Sequence, residues 1–281
     1  MGVINTATTQ IIRKNGWVSI INMFNLSIYL YSLVAIGLFA LMGWMLSLIR
    51  DNVTHVDSMW SLFFVLASFT SALFVYESTP RVLLVLSLIS LWAIRLCAYL
   101  SWRNWGPHED SRYVEIRRNN EPHFWLKSAY IIFGLQAVLA WVISISLYGA
   151  IDSEIPINAL DYLGLLLFVF GFCWEVIADW QLSQFKNNPN NKGLVLNTGL
   201  WRYSRHPNYF GECCVWWGFY LIALASGAWW AIISPVLMTV LLLKVSGVSL
   251  LENTITERRP AYADYIKNTN SFIPGLPKNN N

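Results

Sequence analysis

The stretch LDYLGLLLFVFGFCWEVIADWQLSQFK, residues 160–186, decides the fold class of this 281-residue chain. It begins as an apolar run long enough to cross the hydrocarbon core of a bilayer, which takes about 20 residues. It then carries two acidic side chains and a lysine before the next polar segment. Because ionisable groups inside a span are costly, this pattern predicts a membrane helix with a functional end.

The composition of the whole chain excludes a soluble domain. Hydrophobic residues make up 56% and charged residues 12%, about half the charged share of ordinary soluble domains. The 15 Trp, 13 Tyr and 15 Phe residues suit the aromatic belts of membrane proteins. The four cysteines form no C-x-x-C pair and the four histidines are scattered, so we predict no metal site. We also expect no nucleic-acid partner.

Hydropathy predicts an all-α integral membrane protein with about seven transmembrane helices. We expect an N-terminal tail or interfacial segment at 1–24, including Trp17 to Phe24, a membrane domain at 25–250, and a cytoplasmic C-terminal segment at 251–281. The last two spans divide near Ser226-Gly227, within a nearly continuous apolar run. The predicted spans cover residues 25–49, 57–76, 81–101, 128–150, 159–180, 209–227 and 229–250.

The distribution of lysine and arginine predicts the orientation. With seven spans, fourteen Lys and Arg residues fall on one side and three (Arg13, Lys14 and Arg81) on the other. The positive-inside rule then places the N-terminus outside and the C-terminus in the cytoplasm. The cell inner membrane is the expected location. The long polar segments also lie on the basic side, which favours a cytoplasmic anionic ligand over topology signals alone.

Four residues of the fifth span share one helical face. Glu175, Asp179, Leu182 and Lys186 are separated by four, three and four positions, which is helical spacing. One interpretation is a pair of anchors at the membrane interface. The other is a polar stripe that leads from a cavity in the membrane to a phosphate-binding Lys186.

The sixth span opens with Gly-Leu-Trp-Arg-Tyr-Ser-Arg-His-Pro-Asn-Tyr-Phe-Gly-Glu, residues 199–212. Asn208, Glu212 and Trp216 then share a face at i, i+4 and i+8. Glu212 lies about one turn inside the predicted membrane, either as an acid favoured by the helix dipole or as a ligand-binding group. A short helix on the cytoplasmic face is predicted after the last span, within residues 252–267.

Several of these motifs resemble the DUF1295 family, within the superfamily of steroid 5-alpha-reductases and sterol Δ14-reductases. The resemblance covers roughly Asp57 to Pro274. It rests on the 199–212 string, Val56-Asp57-x-x-Trp60, Glu109-Asp110-x-Arg112-Tyr113, the Glu175 to Lys186 stripe and the tail. It implies seven spans with NADPH inserted between helices from the cytoplasm, the fifth and sixth spans flanking it.

The resemblance also implies the residues at the cofactor. Asp179 resembles the acid that contacts it, Lys186 a basic residue at its phosphates, and Asn208, Glu212 and Trp216 the family's face on the sixth helix. The remaining cofactor-binding candidates are Arg103, Glu175, Arg202, Arg205, His206, Tyr209, Arg259, Tyr262 and Tyr265.

The proton donor departs from the pattern of the steroid 5-alpha-reductases. Those enzymes use a glutamate on the second span and a tyrosine on the third. This chain has Asp57 near the second span and no matching tyrosine on the third. We take Asp57 as the candidate catalytic residue, because a carboxyl group at the membrane border can retain a proton to donate.

Three functions remain open. The favoured one is an NADPH-dependent membrane reductase acting on a C=C bond of a lipid, isoprenoid or sterol-like molecule. Isoprenylcysteine and phospholipid methyltransferases also carry an Arg-His-Pro-x-Tyr-x-Gly string, so a methyltransferase using S-adenosylmethionine is the alternative. The third is a non-catalytic lipid-binding or scaffold protein. The expected partners are the bilayer and a hydrophobic small molecule.

Overall fold

The computed structural model describes residues 24–75, 79–104, 106–245 and 262–277. All regular structure within these ranges is helical, which confirms the all-α fold. Four helices are long and apolar enough to cross a membrane: α1, α3, α5 and α6. The helices are α1 Leu26–Arg50, α2 Val56–Ala72, α3 Pro80–Arg103, α4 Ser111–Asn119, α5 Phe124–Ile151, α6 Ala159–Asn187, α7 Pro207–Ala225, α8 Trp229–Lys244 and α9 Tyr262–Asn268.

Each of the seven predicted apolar segments contains a helix, although the ends differ by a few residues. The largest difference is in α6, which was predicted to 180 and continues to Asn187. Hydropathy detects only the apolar part of a helix, whereas the polar turns that follow keep the same backbone hydrogen bonds. The predicted segment from Trp17 lies outside the described residues except for Phe24.

The division near Ser226-Gly227 is confirmed. Helix α7 ends at Ala225 and α8 begins at Trp229. Gly227 has a φ of 87°, a left-handed conformation that glycine adopts without steric cost. The apolar run is therefore interrupted by backbone geometry and not by a change in hydropathy.

The chain divides into two compact units, and the division falls inside the predicted membrane domain. Unit 1 comprises Met1–Ile157 with Ser226–Ala228, and unit 2 comprises Asn158–Ala225 with Trp229–Asn281. Within unit 1, α2 packs against α1 and α3, and α5 packs against α1 and α2. Phe63, Trp92 and Phe133 are fully buried there, so aromatic side chains fill its core.

Helix α5 contains a π-helical turn at Ala129–Gly134. A π turn holds one more residue than an α turn, so it rotates the residues that follow around the helix axis. Gln136 lies two residues beyond this turn, in a helix that is long and apolar enough to cross a membrane.

Unit 2 is built on the close packing of α6 against α7. Two pairs of glycines, Gly164 with Gly218 and Gly171 with Gly211, bring the two backbones together. A Cβ atom on Gly211 would lie 2.6 Å from the Glu175 backbone nitrogen and 2.7 Å from the Gly171 carbonyl oxygen. Larger side chains would push the helices apart, so these glycines fix the distance between α6 and α7.

Candidate cofactor-binding face and a second polar cluster

The predicted carboxylates of unit 2 are buried along the α6–α7 pair. Glu175, Asp179 and Glu212 are 2%, 5% and 9% exposed. The Asn208 side-chain amide donates a hydrogen bond of 3.2 Å to Asp179 Oδ1. Glu212 lies one turn beyond Asn208 on the same face of α7. The structure thus brings Asp179, Asn208 and Glu212 to one side of the helix pair, which we call the carboxylate face.

The glycine contacts correct one expectation from the resemblance. A cofactor was expected between the fifth and sixth spans, which are α6 and α7. Atoms of Gly211 lie against the backbone of Glu175, so no gap exists between the helices at this level. A cofactor that contacts these carboxylates must therefore lie on the carboxylate face beside the pair, and not between its two members.

The 199–206 loop before α7 is anchored to α6. Gln181 Oε1 accepts a hydrogen bond from the Leu200 backbone N–H at 2.9 Å. The Trp201 indole donates to the Ala178 carbonyl oxygen at 3.1 Å. Gly199 has a φ of 58°, and a Cβ there would overlap the Gln181 side chain. These contacts hold the predicted cofactor loop in one conformation against the end of α6.

Arg205 has a structural partner that the sequence did not indicate. It was predicted as a cofactor contact, but its buried guanidinium donates from Nη1 to the carbonyl oxygens of Ile266 and Thr269, at 3.0 and 2.6 Å. Its backbone N–H also donates to the Asn270 carbonyl at 2.9 Å. Arg205 therefore caps the end of α9, as basic side chains do at helix C-termini.

Four more predicted residues attach the C-terminal segment to the loop or stabilise the loop itself. The buried Tyr265 hydroxyl donates to the carbonyl oxygen of Trp201. His206 and Tyr209 stack with ring centroids 5.6 Å apart and planes nearly parallel. Tyr262 is buried and packs edge-on against Tyr265. The loop and α9 thus form one assembly beside α7.

The remaining predicted residues of unit 2 differ in exposure. Lys186 and Arg202 are exposed, as a contact to a cofactor phosphate requires. Lys186 lies at the solvent end of the α6 face that carries Glu175 and Asp179. Trp216 is fully buried, which suits packing more than contact with a ligand. Arg259 lies outside the described residues.

A second polar cluster occupies unit 1, around Asp57 at the start of α2. Asp57 Oδ1 accepts a hydrogen bond of 2.6 Å from the Tyr113 hydroxyl, and Oδ2 accepts one of 2.6 Å from Arg112 Nη2. Arg103 Nη2 is 3.9 Å from the same oxygen. Asp57 is thus an acceptor from charged and neutral donors, and these contacts favour an accepting role over the predicted donating one.

The neighbours of Asp57 are fixed by further contacts. Asp110 accepts from Arg112 Nε at 3.0 Å and caps α4 through the Arg112 backbone N–H at 2.9 Å. Burial alone would raise the pKa of Asp110, but the hydrogen bonds and charge of Arg112 outweigh it and the net pKa is lowered. Burial, and then the charge of Asp57, raise the pKa of Tyr113 well above its usual value. Tyr113 is therefore protonated at neutral pH.

Arg117 joins the two loops that border this cluster. Its guanidinium forms two bonds with Glu109, of 2.9 and 3.0 Å, and one of 3.0 Å with Asp51. It also lies over the ring of Phe124, 4.5 Å from the centroid. Glu109 in turn accepts from the Val53 backbone N–H at 3.0 Å. Bidentate arginine–carboxylate pairs are directional, so the loop before α2 is held against the loop before α4.

Sequence reasoning did not assign a role to Tyr113 or Gln136. No tyrosine was found on the third span, and the structure supplies one from α4, 56 residues after Asp57. Gln136 Nε2 lies 3.4 Å from the Tyr113 oxygen. The available signal was the Asp110-x-Arg112-Tyr113 motif, together with a lone amide side chain inside an apolar span.

Comparisons with known proteins match the part of the chain that contains both polar clusters. A family model for a protein of unknown function, DUF1295, matches residues 43–269. An uncharacterized protein of Schizosaccharomyces pombe is 27% identical over a match that covers 83% of this chain and 76% of that protein. No solved structure matches the chain significantly. Because the model match spans well over half of the chain and takes in Asp57, Tyr113, Asp179 and Glu212, the chain belongs to the DUF1295 family.

Proposed function

We propose that this protein is an NADPH-dependent membrane reductase that acts on a C=C bond of a lipid, isoprenoid or sterol-like substrate. The observation that carries the proposal is the carboxylate face. Asp179, Asn208 and Glu212 place two carboxylates and an amide on one side of a rigid helix pair, and these groups can bind the polar parts of a nucleotide. Lys186, on the Asp179 side of α6, adds a cation at the exposed end.

The proposal includes a membrane topology. We infer seven spans, formed by α1, α2, α3, α5, α6, α7 and α8, with the N-terminus outside and the C-terminus in the cytoplasm. The charge count supports this orientation, because fourteen of the lysines and arginines then face the cytoplasm. Under this topology the 199–206 loop and α9 lie on the cytoplasmic side, where NADPH is available. The cell inner membrane is the proposed location.

The side chains of the carboxylate face suit the polar parts of a dinucleotide. Asp179 and Glu212 can accept hydrogen bonds from ribose hydroxyls or from a carboxamide, and Asn208 can donate as well as accept. Lys186 and Arg202 are exposed cations able to reach phosphates. When bound, NADPH supplies the hydride for reduction. The protein supplies orientation and the charges that hold the cofactor.

The second polar cluster changes the role that we propose for Asp57. Tyr113 remains protonated at neutral pH, and Asp57 accepts its hydrogen bond. Asp57 is therefore the acceptor that orients Tyr113, and we no longer propose it as the proton donor. Arg112 supports the negative charge of Asp57 with a 2.6 Å contact, as expected for a charge-assisted hydrogen bond.

A methyltransferase that uses S-adenosylmethionine is the second candidate. One observation favours it: Arg205, a predicted phosphate contact, donates to the carbonyl oxygens at the end of α9. Without Arg205, the carboxylate face has fewer positive charges near it to bind the phosphates of a dinucleotide. Carboxylates also suit the ribose and ammonium groups of S-adenosylmethionine. Lys186 favours the dinucleotide, because a 2′-phosphate requires additional positive charge.

Ligand-induced thermal stabilisation separates the candidates. Purified protein in detergent is titrated with NADPH and, separately, with S-adenosylmethionine, and the melting temperature is followed. A ligand present at 100 times its dissociation constant stabilises the folded protein by about 2.7 kcal/mol. We expect a shift with NADPH and none with S-adenosylmethionine. A shift with S-adenosylmethionine alone would replace the reductase by the methyltransferase, and no shift with either would favour a non-catalytic protein.

A further inference from the structure

Gln136 is the least expected polar residue of the Asp57 cluster. It lies in α5, within a helix apolar enough to span a membrane, and it is half-buried. Placing an amide in such a helix is unfavourable unless its hydrogen bonds are satisfied. The π-helical turn Ala129–Gly134 ends just before it, and π turns occur often at functional sites.

The hydrogen bonds around Tyr113 fix the orientation of the Gln136 amide. The Tyr113 proton is committed to Asp57 Oδ1 at 2.6 Å. The phenol oxygen can then only accept, so the Gln136 atom 3.4 Å away is the NH₂ group. The reverse orientation would place two acceptors against each other.

This orientation leaves two acceptors for a ligand. The Gln136 carbonyl oxygen has no hydrogen-bond partner among the residues that the structure describes. Next to it, the Tyr113 oxygen keeps a second lone pair. On the other side of Asp57, the bonds of Arg112 run from its Nε and Nη2 atoms, and Nη1 donates to no described residue. The cluster therefore offers acceptors on the α5 side and one donor on the Arg112 side.

We infer that Gln136 is a specificity-determining residue of the proposed reductase and that it selects a lipid with a hydroxyl group. A hydroxyl donates to the Gln136 carbonyl, which an ether, ester or aldehyde oxygen cannot do. A site built to bind a hydroxyl rejects analogues without one, since its polar groups would be left unpaired. The apolar surroundings of Gln136 in α5 require the rest of the ligand to be hydrocarbon. The inference rests on the proposed function but concerns the substrate alone.

A set of matched lipids tests the inference without a variant. Geranylgeraniol, its methyl ether and geranylgeranial share one chain, but only the alcohol donates a hydrogen bond. Binding to the purified protein is measured by native mass spectrometry in detergent, with and without NADPH. We expect the alcohol to bind about tenfold more tightly than either acceptor-only analogue, which is the effect of one buried hydrogen bond.

Gln136→Met links the preference to the residue, because methionine has a similar length and no amide. The variant should bind all three lipids equally, while its NADPH shift stays as in the wild type. Val138→Met, on an exposed position of the same helix, is the matched control and should keep the tenfold preference. Equal binding of the three lipids to the wild type, a preference that survives in Gln136→Met, or no binding of any lipid would each overturn the inference. Preference for the alcohol without any NADPH shift would keep Gln136 as the contact of a lipid hydroxyl and would remove the reductase.

Discussion

At the scale of single residues, Lys186 tests the phosphate assignment. It is exposed and shares a face of α6 with Asp179, two turns away. Lys186→Ala removes one charge-assisted contact, so we expect the affinity for NADPH to fall about tenfold and that for NADH to change little. Titration of the purified variant with both nucleotides measures the difference.

A second lysine provides the control for that measurement. Lys192 is exposed on the loop that follows α6 and is not part of the Asp179 face. Lys192→Ala should bind both nucleotides as the wild type does. If Lys186→Ala lost NADPH and NADH affinity equally, Lys186 would not be a contact of the 2′-phosphate.

Asp110 determines part of the acid stability of unit 1. Its pKa is lowered in the folded protein, so its ionised form stabilises the fold above about pH 4 and this contribution is lost as the pH falls further. Between about pH 4 and 2, the melting temperature of Asp110→Asn should therefore fall less steeply than that of the wild type. Asparagine keeps the helix cap but loses the charge that Arg112 contacts, so the variant should be less stable than the wild type at neutral pH and should approach it in acid.

Asp264 offers a control for the acid titration. Its side chain is 77% exposed, in a surface pair with Lys267, and such pairs contribute little to stability. Asp264→Asn should therefore follow the wild-type curve. An Asp110→Asn curve that coincides with the wild type down to pH 2 would show that Arg112 does not stabilise the folded protein through Asp110.

The sequence predicts some residue contacts and misses others for a clear reason. Asn208 and Glu212 are one turn apart, and Glu175 and Asp179 likewise, so helical spacing alone places each pair on a face. The contact of Tyr113 with Asp57 spans 56 residues and that of Arg205 with Thr269 spans 64. Periodicity carries no information about such distant partners, which depend on how the helices and loops pack.

At the scale of elements, the glycines of α6 and α7 are the most restrictive feature. Gly211→Ala places a Cβ within 2.7 Å of two backbone atoms of α6, and neither can move without separating the helices. Overpacking of this kind costs about 1–3 kcal/mol. We expect the melting temperature to fall by about 5 °C and the NADPH shift to decrease, because the carboxylate face is displaced.

Gly37→Ala is the matched change in α1. A Cβ there meets nothing within 4 Å, and alanine favours a helix over glycine. Its melting temperature should equal or exceed that of the wild type. A Gly211→Ala protein as stable as Gly37→Ala would mean that the close α6–α7 contact does not exist.

At the scale of the whole molecule, hydropathy predicted the helical segments because it is a local property. Every apolar segment from residue 25 to 245 contains a helix. The polar helix α4 was missed, since it has too few apolar residues to stand out from a loop. The last turns of α6 lie beyond the span that hydropathy predicts, but the helical spacing from Glu175 to Lys186 indicated them. The division into two units could not be predicted, because it depends on contacts between segments far apart in the chain.

Hydrogen–deuterium exchange of the purified protein, with and without saturating NADPH, tests the central claim most directly. If the cofactor binds the carboxylate face, peptides covering the 199–206 loop, the start of α7, the end of α6 and α9 should exchange more slowly with NADPH. S-adenosylmethionine should leave them unchanged. Protection elsewhere without any change in these peptides, or the same protection produced by S-adenosylmethionine alone, would contradict the account.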